Sequence, residues 1–525
     1  MKKTFFVALL LLIGFAATPQ AYAQTAADAL RYTQRGSFAS PRSTGMAGVG
    51  LAGIADPGAI FTNPAGLGFM RSSQVGAGLN TVFVQNDGTY LLGNSSNERT
   101  TTFSTTRFDN AFAIQRVPTV QGSLVFGIGF QQNNAYDREL AFRADAFNSS
   151  ISSSFLPGSN QYRVNNDGSI SFDRTLSSIA YRAGLIEYYQ DFANAGQYPF
   201  LEAVKPNTTV EQRGQILERG PKNDLALAGA VEVAPGVMAG ASVNLGFGTY
   251  VFERRFEERD ALNQNGVDDY FVVADGRVYE GFDRLIVRDR IRTGLVGLGL
   301  KGGISFQGQG PFRAGLTLET PTYYTVTEDY ETRMEIFFDD GGTLAYGGRR
   351  GDVGTGTYEY GIITPWRLGA GFAFIDGPIH ITTELEFLDW SQLRLDDKDN
   401  SGFFDDENAL IRNRLGPVLN VRTGLEYTMN NLTLRMGAAY LPDARTQRSI
   451  FDDTFDEEDH AFRRSQLVLS AGLSLEAAQN TFIDFGLSQT SFKDRYIPYN
   501  DGLTSALVEE RILRNRITLG VRIGF

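Results

Sequence analysis

The chain has 525 residues, with 58 Gly, 39 Phe, 22 Tyr, no Cys and two His, at 380 and 460. The absence of Cys removes disulfides, thiolate metal sites and Cys nucleophiles, and two isolated His argue against a His-built zinc centre or hydrolase. A net charge of -12 opposes a nucleic-acid partner. A mean hydropathy of -0.19, with the one long apolar run at the very start, excludes a bundle of membrane helices, each of which needs ~20 apolar residues.

Lys2 and Lys3 precede an apolar stretch from Phe5 to Ala17, and Ala21-Tyr22-Ala23 closes it. A basic start, a short apolar core and an A-x-A site predict a signal peptide over 1–23, with Gln24 as the mature start. Residues 24–71 do not alternate. Ala26 to Gln34 reads as a short helix, and small residues from Ser43 to Gly53 lead through Asp56-Pro57 to Thr62-Asn63-Pro64-Ala65-Gly66-Leu67-Gly68. This segment is too apolar for a linker and is read as a compact unit of its own.

From residue 72 to the end the chain alternates. The last strand is the clearest: Ile517, Leu519, Val521, Ile523 and Phe525 oppose Thr518, Gly520, Arg522 and Gly524. The same period appears around Trp366–Phe374, Ile379–Phe387, Leu432–Tyr440 and Ile483–Leu487. Runs near ~10 residues suit a tilted strand crossing a bilayer. Short turns alternate with long polar stretches, as periplasmic turns alternate with external loops in an outer-membrane barrel. The count is fourteen strands, roughly 73–85, 106–117, 122–134, 223–234, 237–258, 285–306, 312–334, 355–375, 379–394, 410–428, 432–446, 462–476, 480–495 and 510–525. The longest external loop is 135–222. Phe83, Phe130, Tyr250, Phe306, Trp366, Tyr427 and Phe492 are expected at the interfacial girdles. The fold class is therefore an all-β transmembrane antiparallel barrel. A lumen of ~14 strands is too wide for its own wall side chains to fill, which makes 24–71 a hatch and 72–525 the barrel. Phe525, a terminal aromatic, is similar to the signal read by bacterial barrel-assembly machinery.

On Asn63-Pro64-Ala65, the strand count, Thr364-Pro365-Trp366-Arg367 and Phe525, the sequence resembles the FadL/TodX family of outer-membrane transporters for long-chain fatty acids and aromatic hydrocarbons. Barrels that act as shuttle components of type IX secretion share the Asn-Pro-Ala box. The resemblance implies a hatch gated around Asn63, Pro64 and Ala65, apolar ligands bound from outside, and sideways release through a gap beside a kinked third strand. That gap is expected near Gly122 to Asn134, with Gly127 and Gly129 permitting the kink.

Each buried methylene contributes ~0.8 kcal/mol, so an alkyl cargo needs little polar chemistry. Candidate lining residues are Phe38, Phe61, Leu67, Phe69 and Met70, with Arg31 or Arg35 for a carboxylate head. Inward charges at Arg367, Glu384, Glu386, Arg422, Glu426, Arg435 and Arg522 are read as cross-strand pairs that stiffen the lumen and meet the hatch. Thr175 to Phe192 is read as an amphipathic helix over the outer mouth. Asp397, Asp399, Ser401, Phe403 and Asp405 follow the spacing of a calcium loop, with Asn408 in place of the final Glu. Calcium is thus a candidate in one loop, and no cofactor is required. Asn263 to Asp269 is a degraded copy, and Asp452 to Asp459 lacks the Gly. Gly297-x-Gly299-x-x-Gly302 lies within a strand and is discarded as a dinucleotide motif. The expected function is passive uptake of hydrophobic compounds across the outer membrane by a monomeric, non-enzymatic barrel, whose partners are hydrophobic small molecules, outer-membrane lipids and the barrel-assembly machinery. The alternatives are a secretion-system barrel and, behind it, a general porin.

Overall fold

The computed structural model describes residues 25–36, 38–92, 95–267, 270–445, 464–500 and 506–525. The expected signal peptide, Asp269, the acidic run Asp452 to Asp459 and His460 lie outside them. The wall is built from β1 (Gln74–Leu92), β2 (Ser95–Val117), β3 (Leu124–Ala135), β4 (Arg138–Phe147), β5 (Thr209–Arg219), β6 (Pro221–Ala234), β7 (Val237–Arg259) and β8 (Arg284–Gln307). It continues with β9 (Phe312–Glu319), β10 (Tyr323–Phe337), β11 (Thr355–Ile363), β12 (Arg367–Asp376), β13 (Ile379–Asp389), β14 (Pro417–Met429), β15 (Leu432–Leu441), β16 (Gln466–Ala478), β17 (Thr481–Tyr496) and β18 (Leu507–Gly524). All ladders are antiparallel, and β18 pairs back onto β1 from Val75↔Ile523 to Leu91↔Leu507. The result is a closed barrel of 14 crossings; β9 with β10, and β11 with β12, each make one crossing. Inside it lie α1 (Ala26–Thr33), α2 (Pro41–Gly45) and two 3-10 turns, Pro57–Ile60 and Pro64–Phe69.

The burial pattern is inverted relative to a soluble sheet. Leu79, Phe83, Leu227, Leu298, Ile304, Phe372, Met436, Leu469 and Leu519 are exposed, while Asn80, Glu384, Arg422, Arg435, Arg516 and Thr518 are buried. A continuous apolar belt of this extent exceeds what a soluble monomer exposes, and a polar interior behind an apolar exterior is the arrangement of a barrel that spans a bilayer. Phe83, Phe306, Trp366 and Tyr427 stand in the outward set as expected, whereas Tyr250 and Phe492 are buried. The alternation decides this: outward Val243 and Leu245, or Ile483 and Leu487, leave Tyr250 and Phe492 on the inward parity.

Four stretches differ from the sequence expectation. β1 and β2 continue through the polar segment 86–105 as a tall hairpin; strands that rise above the bilayer need no apolar face. The crossings expected at 312–334 and 355–375 are interrupted at Thr320–Thr322 and Thr364–Trp366, because Pro321 and Pro365 have no N–H for the ladder. The strand expected from 410 begins at 417, behind the helix Asp405–Arg414. Three acidic residues in its first turn and Arg412 and Arg414 in its last complement the helix dipole.

The stretch 135–222 is an extension of the wall plus a cap. β4 pairs with β5, and β5 with the top of β7. The helix α3 ends at Arg182 rather than Phe192, before Gly184 at φ +74°; α3 covers Thr175–Arg182, and the helix at 405–414 is α4. Ile179, Ala180, Leu185, Leu140, Phe142, Phe256, Phe282 and Ile336 form one buried cluster across the outer mouth. Leu140→Ala removes the side chain that packs over Gly88, a core truncation that costs about 2–5 kcal/mol. The expected outcome is faster amide hydrogen exchange throughout the cap, with protection in β14–β18 unchanged.

Candidate functional site

The hatch is a chain of short turns, each started by a side-chain cap and by a backbone that Pro pre-sets. Ser40 accepts the Ser43 N–H at 3.1 Å, Asp56 the Gly58 N–H at 2.8 Å and Asn63 the Ala65 N–H at 3.1 Å; Pro41, Pro57 and Pro64 follow these caps directly. Asn63 also donates from Nδ2 to the Leu51 carbonyl at 2.7 Å and to Ser305 Oγ on β8 at 3.1 Å, and it is fully buried. One amide therefore closes its own turn, holds the neighbouring turn and fastens both to the wall.

The wall accepts the hatch by having no side chains at the contact. A Cβ on Gly303 would meet Asn63, on Gly315 the Leu51 carbonyl, on Gly240 the backbone of Pro64 and Ala65, and on Gly371 the Ala52 N–H. Beside this seam Glu384 of β13 accepts the N–H groups of Gly50 at 2.7 Å and Ala52 at 3.3 Å, and that of Leu51 between them. Arg313 donates to the Gly53 carbonyl at 2.8 Å, and Arg42 of α2 pairs with Glu426 at 2.8 Å. The tip of the hatch is thus gripped by a wall anion on its donors and a wall cation on its acceptor.

Between hatch and wall the lumen keeps two recesses of about 140 Å³ and 100 Å³, which share Arg35, Phe38, Asn133 and Arg464 in their lining. The smaller combines apolar Phe38, Val82, Phe492 and Ile512 with Arg31, Arg138, Arg514 and Arg516. Most of these guanidinium groups are paired. Arg31 pairs with Asp28 and, at 3.8 Å, Glu218; Arg35 pairs with Glu319, Arg138 with Glu510 and Arg516 with Asp109; Arg464 pairs with Asp494 at 3.3 Å. Arg514 differs. It donates to the Asp137 backbone carbonyl at 3.3 Å and lies 5.9 Å from the Phe492 ring, and among the described residues it has no carboxylate ion pair. Of the residues proposed from sequence, Arg31, Arg35, Phe38 and Phe61 line these recesses. Leu67 and Met70 are buried in the cluster of Ile60, Ile114 and Ala226–Ala230, and Phe69 stacks under Arg313. Arg514 and Arg464 are not among the sequence candidates, and Phe492, expected at a girdle, faces the lumen instead; continuing the inward parity of Arg522 along the last strand leads through Arg516 to Arg514.

Beside these recesses the wall is incomplete. The β2–β3 ladder runs from Val117↔Leu124 to Asn110↔Gln131 and stops there. Above it, Ser95–Phe108 pairs with β1 alone, while the chain after β3 turns inward. The Glu139 carbonyl accepts from Asn86 Nδ2 at 3.0 Å and Thr101 Oγ1 at 2.6 Å. The hatch is stitched to this point of departure: the Gly36 N–H donates to the Asn133 carbonyl at 2.8 Å, Asn134 to the Gln34 carbonyl at 3.3 Å, and the Tyr136 hydroxyl to the Tyr32 carbonyl at 3.4 Å. Gly127 and Gly129 lie below the break. Both are laddered on two sides, to Ile114 and Ala228 and to Phe112 and Ala226, and their bare Cα atoms face Ile60 and Phe61 of the hatch. They make room for the hatch, and the wall departs at Gln131–Arg138.

The outer end of α1 is tied to a loop. The Ala26 N–H donates to Glu407 of α4 at 3.0 Å; burial raises the Glu407 pKa, against the pull of that N–H. In the acidic turn before α4, Asp397 accepts the Tyr358 hydroxyl and the N–H groups of Asp399 at 2.8 Å and Asn400 at 3.1 Å, Phe403 packs on Phe404, and Asp405 opens the helix. Among the described residues no group of three or more His, Cys, Asp or Glu side chains is gathered at one point.

No protein-family profile and no curated protein matches this chain. Solved structures do. The toluene transporter TodX of P. putida is 12% identical over 93% of this chain and 99% of its own, with a TM-score of 0.51. A Pseudomonas aeruginosa FadL homologue is 12% identical over 93% of this chain and 98% of its own, also at 0.51. The chain shares the fold of these barrels.

Asn63→Ala leaves the buried Leu51 carbonyl without its donor, at a cost of about 1–3 kcal/mol. Limited proteolysis is expected to cut within 45–70 faster than in the wild type while the barrel stays intact; an unchanged rate would contradict the fastening role.

Proposed function

We propose that the protein is a passive outer-membrane transporter of hydrophobic compounds whose cargo carries an acidic head on an apolar body. The fold supports the general reading, since structurally similar barrels are named as a toluene transporter and a FadL homologue. The observation that carries the finer one is Arg514, a guanidinium with no carboxylate in ion-pair contact among the described residues, at the wall of a recess that also presents Phe38, Phe492, Val82 and Ile512. An enclosed unpaired charge is costly, and an incoming anion relieves that cost. A neutral hydrocarbon gains only the apolar contact.

In this reading cargo enters under the cap, rests with its head against Arg514 and Arg464 and its body on the apolar wall, and leaves sideways where β2 has lost its partner. Release requires the stitch from Tyr32–Gly36 to Asn133–Tyr136 to loosen, so the hatch governs the side exit as well as the bore. No chemical step is involved. The barrel works as a monomer among outer-membrane lipids, inserted by the assembly machinery through its Phe525 end.

The test is equilibrium binding of myristate and of tetradecan-1-ol to the purified protein in a non-ionic detergent. Myristate is expected to bind more tightly, and Arg514→Gln to weaken myristate roughly tenfold, equivalent to ~1.4 kcal/mol, with the alcohol unchanged. Saturable binding of neither probe contradicts the transport reading. Equal binding of both, insensitive to Arg514→Gln, contradicts the acidic head alone.

A further inference from the structure

The outside of a barrel is convex, yet one sector of the lipid-facing wall is hollow. A cleft of about 700 Å³ is lined by Ile304, Leu316, Leu318, Leu368, Leu385 and Phe387 over a floor of glycine and alanine backbone. This volume lies within the ~300–1,000 Å³ of small-molecule sites, and the lining is almost wholly apolar. Register explains the shape. One outward row runs Ile304–Leu316–Ala370–Leu385 and the next Gly302–Leu318–Leu368–Phe387. Gly302 and Ala370 leave gaps between large neighbours, and a Cβ on Gly302 would meet nothing within 4 Å. Directly above, Pro321 and Pro365 interrupt adjacent crossings, and exposed Trp366 stands at the upper rim.

The location determines what can fill it. The cleft lies within the apolar belt, between the Phe306–Phe312 turn region and the proline breaks, on the half nearer the short turns. Water and proteins of the aqueous phases do not reach this depth, and acyl chains do. We infer that this hollow is a binding site for one acyl chain of a phospholipid in the leaflet facing the short turns. The site is separate from the lumen recesses and from the break beside β3, and the inference does not depend on what the barrel transports.

A chain seated there also meets the thinnest part of the wall. Gly303, Gly315 and Gly371, which admit Asn63, Leu51 and Ala52 from the inside, belong to the same strands. Only one layer of backbone then separates the lipid from the hatch. A bound acyl chain supplies on the outer side the packing that these glycines give up in accommodating the hatch on the inner side.

The experiment reconstitutes the full-length protein in phosphatidylcholine vesicles doped with a phosphatidylcholine whose acyl chain bears a photoreactive diazirine, then maps cross-links by mass spectrometry. Residues 302–318 and 368–387 are expected to carry several-fold more label than the opposite wall at 469–487 and 517–521. Ala370→Phe, which fills the gap from the lipid side, is expected to reduce that enrichment to the level of the opposite wall; Gly302→Leu serves as a second filling variant if the first does not assemble. Even labelling around the wild-type belt, or enrichment that persists in an assembled filled variant, would overturn the inference.

Discussion

In hydrocarbon no backbone N–H or C=O can be left for water to satisfy, so a chain of strands must close its ladder. Everything else here follows from the pairing of the last strand with the first. Closure turns apolar side chains outward and forces charges inward, where they pair across strands. It also creates a bore that the wall cannot fill. A hatch inside the bore must itself satisfy its backbone, and it does so through caps, through Glu384 and Arg313, and through Asn63.

The places where the rule is relaxed are the informative ones. β2 above Asn110 lacks a second partner, and its residues there are largely hydroxyl-bearing or charged, with Thr100, Thr101, Thr102, Ser104, Thr105 and Thr106 in one run. Such a sequence tolerates an open edge far better than an apolar one would. The hatch is hydrogen-bonded to the departing strand at the same height, so the open edge of β2 and the hatch lie side by side. On the other side of the barrel, glycine seams let the hatch touch the wall backbone to backbone, which thins the wall between lumen and lipid.

Much of the fold was legible in the sequence because a period of two is a local signal. The outward faces of β12 to β18 stand in Trp366–Phe374, Leu432–Tyr440 and Ile517–Phe525 as written. Where the strands rise out of the lipid the signal fades: the top of the β1–β2 hairpin is polar, and in β4–β5 the few large apolar residues, Leu140, Phe142, Val210 and Ile216, stand among charged and small ones, so both stretches resemble loop in the sequence. Pro365 does not declare itself as a break in the sequence, since whether a missing N–H interrupts a crossing depends on the neighbouring strand. The candidate site was less legible. Asn63 could be picked out with its Pro-Ala box. Whether an arginine is paired depends on carboxylates that can lie far away in the chain: Arg35 is engaged by Glu319, and Arg31 by its near neighbour Asp28 and by Glu218, whereas Arg514 has no such ion pair among the described residues.

The barrel crosses a membrane with its bore occupied by residues of its own N-terminal segment. Single-channel recording of the purified protein in a planar lipid bilayer tests this most directly. Insertion without steady ionic conductance is expected, and a large ohmic conductance once Glu384→Ala and Asn63→Ala are combined to release the hatch. A steadily open, salt-conducting pore in the unaltered protein would contradict it.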